Sequence, residues 1–433
     1  MKPLAEQLAG RLPFFYGWVV LGVVCCVSFA RQGPAVATLS IFVDPMTREL
    51  GWSRTAISAA VSVGGLLAAV VSPALGPLVD RHGARSLLGW AVAITGLCCI
   101  ALAGIETLTA FYVLFCIARM NFAGPFDLGI YGAINNWFVR RRPIATSIST
   151  LWLMVGLTAM PLIAHSAMYL GGDWRWGWIA VGSTVLTVGF LPTVLLLARR
   201  PEDLGQRPDG DAAEGDATST ADGDDDARQP AYSRAEAMRE PAFWLLLLFT
   251  FLAYPVQAGV SLHQAPHLVE RGLDPTTAAF VVSTFSATSG LIGFLVGPLV
   301  RPFGIRTVLV AVGAFLAAGS WLMSTVEGPA AAYLASALLG CGIGGLLTVP
   351  PIAWADTFGR RSFGAIRGVA LSVQVTGQAV GPVLSGALRD WTGSYLVSLQ
   401  VFMALAICAA ACALFLRSPR PPVGGPGRSG ARR

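Results

Sequence analysis

Apolar runs of roughly twenty residues recur along almost the whole chain, each long enough to cross a hydrocarbon core about 30 Å thick as a helix. Lipid offers no partner for backbone N–H and C=O groups, so segments written this way must satisfy them internally. Composition agrees: 54% of the 433 residues are hydrophobic and 12% are charged, about half the charge of an ordinary soluble domain. That is too little charge to wet a globular surface, and a soluble enzyme is excluded.

Reading the runs against their charged, Gly and Pro breaks predicts twelve spans, near 16–40, 54–75, 86–104, 109–134, 143–169, 175–198, 242–264, 278–299, 306–325, 330–355, 364–388 and 393–416. The expected fold class is an all-α membrane protein whose 12 transmembrane helices form two six-helix, pseudo-symmetric bundles. The bundles cover 1–199 and 241–417, with an acidic, disordered linker over 200–240 and a basic tail over 418–433. Twenty-three Arg and Lys fall on the face that holds both termini, Arg367 counted among them, and five on the other. Both termini, the linker and the tail are therefore expected in the cytoplasm, in a multi-pass protein of the plasma membrane.

The cations sit a few at a time between apolar runs, which speaks against nucleic acid as a partner. Lys2 is the only lysine, so no phosphate-binding lysine of a nucleotide hydrolase exists. All eight cysteines lie inside apolar runs, without disulfide or zinc spacing. Asp224 to Asp226 form a charge run outside any periodic segment and read as solvated rather than chelating. Gly340-Cys341-Gly342-Ile343-Gly344-Gly345 matches a dinucleotide pattern but stands in an apolar run with no strand before it, and reads as close helix packing. No catalytic residue, metal site or cofactor is expected.

The halves repeat one another. Gly76-Pro77-Leu78-Val79 recurs 221 residues later as Gly297-Pro298-Leu299-Val300, and Gly156 and Pro161 recur at the same offset as Gly377 and Pro382. Units of six spans keep the same orientation, so the copies are related by an axis along the membrane normal. The loop after the second span, Gly76-Pro77-Leu78-Val79-Asp80-Arg81-His82-Gly83-Ala84-Arg85, resembles the loop 2–3 signature of the major facilitator superfamily. Asp80 is expected beside the positive N-terminus of the third span, accepting from Arg side chains, with Gly76, Arg81, Gly83 and Arg85 completing a conformational latch.

Phe15-Tyr16-Gly17-Trp18, Gly51-Trp52-Ser53-Arg54 and Asn136-Trp137-Phe138-Val139-Arg140-Arg141-Arg142 are similar to the monocarboxylate transporter and oxalate–formate antiporter branch. The resemblance implies a secondary transporter that moves small organic anions by alternating access, with protons or a counter-substrate as partners besides the lipid bilayer. Animal-type monocarboxylate carriers hold an Asp and an Arg four apart in the eighth span. Here those positions are Ser289 and Gly293, so that charge pair is missing.

Three formal charges fall inside apolar spans of the first half: Arg31 in the first, Arg119 and Asp127 in the fourth. Each costs on the order of 2.5–3.5 kcal/mol to insert, so a wet cavity or a partner is expected beside it. Arg31 either meets a carboxylate from the cavity or snorkels to the outer interface. Arg119 lies too deep for that and is the best candidate for the charge of the substrate. Asp127, some 12 Å beyond it on a regular helix, reads as a counter-ion or a proton carrier, reaching Arg119 only if Gly124-Pro125 breaks the helix. Gln257 stands opposite Arg31 when the halves are aligned, and His263 follows near the outer end of the seventh span; both are candidate substrate contacts. Trp354, Asp356, Gln374 and Gln378 are secondary cavity candidates. Two further readings stand beside transport of anions: an exporter of drugs or metabolites of the same superfamily, and a sensor on a transporter scaffold that moves nothing.

Overall fold

The computed structural model describes residues 4–210 and 232–417, and these are helical almost throughout. Asp224 to Asp226 and the 418–433 tail lie outside the described residues. The first half comprises α1 (Gly17–Ala30), α2 (Val36–Leu50), α3 (Arg54–His82), α4 (Ala84–Ala101), α5 (Leu108–Ala123), α6 (Pro125–Trp137), α7 (Arg142–Gly171) and α8 (Trp174–Leu196). The second comprises α9 (Pro241–Glu270), α10 (Pro275–Ser324), α11 (Pro329–Phe358), α12 (Phe363–Thr392) and α13 (Leu396–Leu414). Nine helices among the described residues are long and apolar enough to cross a membrane.

The departures from twelve simple rods have local causes. The first span breaks after Ala30 and resumes at Val36, because Pro34 has no N–H to give a helix and restricts Gly33 before it. Arg31 therefore caps α1 at a break rather than riding inside a continuous helix. The fourth span breaks at Gly124 (φ −111°, ψ −85°), and Pro125 starts α6 afresh, a position where proline is tolerated. The expected loop around Gly76 is instead the last turns of α3, and the chain turns only at Gly83, φ +82°. Likewise the eighth and ninth spans are one element, α10, bent at Gly304 with φ +77°. α12 is 30 residues long but too polar to be among the nine.

The turns extend the repeat. Gly51, Gly83 and Gly172 adopt φ of +70°, +82° and +70°, and their partners 221 residues on, Gly272, Gly304 and Gly393, adopt +90°, +77° and +74°. Only glycine enters this region without strain from a Cβ, so the copies share their corners as well as their spans.

The linker also departs from expectation at its ends. Asp209, 5% exposed, accepts from the backbone N–H groups of Val139, Arg140 and Arg141 at 3.0, 2.5 and 3.0 Å. Tyr232 packs edge-on against Phe358, and Ser233 and Glu236 form a capping box on the short helix Arg234–Ala237. These ordered ends reflect backbone amides and rings at the bundle surface that need covering, which composition alone does not reveal.

Hydrogen bonds join the halves near the face that carries the termini. They come from residues 142–150 of α7 and 364–372 of α12. Asp80 accepts from the N–H groups of Gly364 and Ala365 at 2.8 and 2.9 Å, and Ser372 donates to the Ala69 carbonyl at 2.5 Å. On the other side Gly297 N–H donates to Ser147 Oγ at 3.1 Å and Thr348 to Thr150 at 3.4 Å, while Arg142 pairs with Asp356. So α3 lies on α12 and α10 lies on α7, the same crossing made twice.

Candidate functional site

Four side chains expected or found inside the bundle converge around α6. Because α6 starts anew at Pro125, Asp127 sits in its first turn, where unpaired backbone N–H groups and the helix dipole favour a negative charge. Asp127 is 3% exposed. Its Oδ1 accepts from Arg367 Nη2 at 3.0 Å, and its Oδ2 lies 3.7 Å from Arg31 Nη1. The helix does break at Gly124, yet Asp127 turns to those two arginines and not to Arg119.

Arg31 and Arg119 share an aromatic partner. Their guanidinium carbons stand 4.7 and 4.1 Å from the centroid of the Phe122 ring, a cation–π arrangement that holds charge without neutralising it. Arg119 packs through its stem on Gly64, where a Cβ would come within 2.6 Å of its own Cβ. The Nε and Nη1 groups of Arg119, the Nε of Arg31, and the Nε and Nη1 of Arg367 are buried with no hydrogen-bond partner. Two guanidinium groups thus pair with one carboxylate, a third shares the Phe122 ring with Arg31, and five nitrogens of the three have no hydrogen-bond partner. Leaving such groups unsatisfied is costly.

Arg367 is the residue that sequence reasoning missed. It was counted with the topogenic charges of the terminal face, but it is 1% exposed and turned inward from the fifth position of α12. Its Nη2 also donates to Gln374 Oε1 at 2.8 Å, which brings that secondary candidate into the cluster. The readable signal was the series Gly364, Gly368 and Ser372, one small residue per turn, which marks the face of α12 that packs closely.

The other candidates are placed elsewhere. Gln257 accepts from Gln378 Nε2 at 3.3 Å, a pair between α9 and α12 within the second half. His263 is engaged at both ring nitrogens, by Tyr395 Oη at 3.3 Å and the Pro382 carbonyl at 3.2 Å. Trp354 is fully buried against Phe243 and Phe358, so it is core rather than cavity lining. Asp356 serves the ion pair with Arg142 between the halves.

The latch candidates divide: Asp80 and Gly76 cross to the other half, whereas Arg81, Gly83 and Arg85 lie against Arg199 and Val194 of their own half. Asp80 caps the start of α12 in the opposite half through backbone amides, neither beside α4 nor through Arg side chains, because Ser362 at that helix start makes no side-chain cap of its own. Gly76 lies against Gly364, where a Cβ would fall 2.1 Å from the carbonyl oxygen. Arg85 donates to the Val194 carbonyl and the Arg81 carbonyl accepts from Arg199, while Gly83 makes the turn. Gly340 and Gly344 of the discarded dinucleotide pattern press on the Phe285 and Ser289 carbonyls of α10, where a Cβ would lie at 2.7 and 2.4 Å. That is helix packing, as read from the sequence.

A sequence profile described as Major Facilitator Superfamily matches residues 20–265 and again 258–433. Among curated relatives, monocarboxylate transporter 11 of Homo sapiens is 24% identical over 421 residues, covering 91% of this chain and 82% of that protein. Monocarboxylate transporter 2 of Mesocricetus auratus is 23% identical over 411 residues, 88% of this chain and 79% of that one. Monocarboxylate transporter 6 of Mus musculus is 27% identical over 188 residues, 43% of this chain and only 38% of its own length. Two solved structures share the fold at 13% identity. The proton:xylose symporter XylE bound to 6-bromo-6-deoxy-D-glucose has a TM-score of 0.74, covering 93% of this chain and 96% of its own. The transporter FucP in the outward conformation has a TM-score of 0.70, covering 94% and 100%.

Proposed function

The chain belongs to the Major Facilitator Superfamily, and on that premise we propose that it is a secondary transporter of small organic anions, working by alternating access with protons or a counter-substrate. One observation carries the substrate class. Arg31 and Arg119 stand on the same Phe122 ring, and three of their guanidinium nitrogens are buried with no hydrogen-bond partner. A neutral solute leaves that charge uncompensated at low dielectric, whereas a carboxylate accepts from two guanidinium nitrogens at once. Relatives named as monocarboxylate transporters support the same class.

Where the halves meet supports alternating access. Their hydrogen bonds use the first nine residues of α7 and the first ten of α12, so the halves hold together near the terminal face and part by breaking those bonds. With the positive-inside rule that face is cytoplasmic, both termini lie in the cytoplasm of a plasma-membrane protein, and the state described is closed to the cytoplasm. Counterflow of labelled pyruvate, lactate and acetate in proteoliposomes tests the reading. Uptake by the wild type that falls at least about 10-fold in Arg119→Gln, a loss of some 1.4 kcal/mol, is expected. Carboxylate flux undiminished in that variant removes the site, and transport of neutral or cationic solutes alone removes the substrate class.

A further inference from the structure

Asp127 is shared between the halves in a way that bears on release. Arg31 on α1 belongs to the same half as Asp127, whereas Arg367 on α12 belongs to the other. The carboxylate is divided unequally: it accepts a hydrogen bond of 3.0 Å from Arg367 but stands 3.7 Å from Arg31, too far for one. Arg367 is anchored on its own helix by Gln374, so it travels with α12. Gly364 and Ser372 bind α12 to α3 by hydrogen bonds of 2.8 and 2.5 Å, a Cβ at Gly368 would fall 2.6 Å from the Ser72 carbonyl, and the three flank Arg367 on either side.

We propose that Arg367 is a positioning residue that holds Asp127 off Arg31 while the terminal side is closed, and that its withdrawal turns Asp127 into an internal competitor for the bound anion. The inference rests on the anion-transport reading above. With the halves together, Arg367 takes the carboxylate's hydrogen bond, and Arg31, paired with it only at 3.7 Å, keeps part of its charge for an incoming anion. When α12 leaves α3, Arg367 leaves with it. Asp127 then keeps a single cation, Arg31, within its own half. The ion pair tightens, and a substrate on Arg31 is displaced as the path opens on the terminal side. Affinity drops where release is needed, with no more than a side-chain shift inside the first half.

The reading gives opposite signs to two variants that break the same ion pair. Arg367→Gln leaves Asp127 to Arg31 in both states, and weakens anion binding about 10-fold, the equivalent of one pKa unit of interaction. Adding Asp127→Asn removes the competitor, so the double variant binds at least as tightly as the wild type. It also removes opposite buried charges together, which spares the fold the cost of an unpaired ion, and it decides the matter if Arg367→Gln alone does not fold. Arg367→Lys, which keeps a cation for Asp127, restores most of the affinity. Binding of pyruvate, lactate and acetate to the full chain in nanodiscs, by calorimetry, reads all five proteins, with Arg119→Gln as the control for the site. A double variant as weak as Arg367→Gln overturns the proposal and leaves the anion site standing, provided that Arg119→Gln weakens binding by at least about 10-fold. Failure of the wild type to bind any of the three overturns the anion reading and this inference with it.

Discussion

Asp80→Asn tests the seam between the halves where it depends most on charge. The carboxylate accepts from the Gly364 and Ala365 amides at 2.8 and 2.9 Å. Those amides belong to the first turn of α12 and have no partner within their own helix. A hydrogen bond to a charged group contributes about 1.5–3 kcal/mol. Asn keeps one acceptor oxygen and turns an NH2 toward the second amide, so one bond is lost and the other loses its charge. The half-buried setting calls for the lower end, about 2 kcal/mol in all, or roughly 30-fold in an equilibrium. Because the bonds run between halves, the loss falls on the closed state and not on the folding of either bundle. Hydrogen exchange of a 362–368 peptide, read by mass spectrometry on protein in nanodiscs, should show the Gly364 and Ala365 amides exchanging about 30-fold faster, with the thermal midpoint nearly unchanged. Rates within about twofold of the wild type refute the cap, because no other acceptor at the start of α12 accounts for their protection.

Gly64→Ala places a methyl 2.6 Å from the Cβ of Arg119 and 3.2 Å from the Cys116 carbonyl, so it pushes Arg119 off the Phe122 ring; anion counterflow should fall about 10-fold, a displacement cost of some 1.4 kcal/mol, while the protein still elutes as a single species. Asp209→Ala frees the three amides of residues 139–141. By the usual cost of losing such a cap, about 1–2 kcal/mol, it should lower the thermal midpoint in detergent by a few degrees without changing anion affinity.

Much of this molecule was legible in its sequence because membranes and repeats leave strong marks. Apolar runs fix the spans, the 221-residue offset fixes the two copies, and intramembrane charge singles out Arg31, Arg119 and Asp127. What escaped depends on direction. Arg367 follows Arg360 and Arg361 so closely that it reads as one more topogenic cation; only the helix geometry, which turns it inward beside Gly364 and Gly368, separates it from them. Trp354 and His263 were drawn to the cavity by type and depth. Rings and neighbours within the second half claim them instead, and no periodicity tells which of two helices a side chain faces. The branch motifs are similarly structural: Phe15 and Tyr16 lie 5.8 and 5.9 Å from Trp137, so segments more than a hundred residues apart are halves of one aromatic cluster that ties α1 to α6.

The repeat makes a last prediction that neither half makes alone. A Cβ at Gly364 would fall 2.4 Å from the Gly76 carbonyl oxygen, and one at Gly297 would fall 2.1 Å from Ser147 Oγ and 2.3 Å from the Pro143 carbonyl. Both contacts bridge the halves on the terminal side, one at the α3–α12 crossing and one at the α10–α7 crossing. An overlap with a backbone carbonyl is not relieved by a side-chain rotation, and overpacking of this kind costs typically 1–3 kcal/mol. Relief comes from separating the bundles, so Gly364→Ala and Gly297→Ala should each favour the state open at the terminal face, by roughly 5- to 150-fold. In each variant the Gly364 and Ala365 amides should exchange faster, even though Gly297 lies on a different pair of helices from Asp80. Faster exchange in Gly364→Ala alone would mean that the crossings open independently. The two bundles would then not move as rigid bodies, and the coupling assigned to Arg367 would lose its lever.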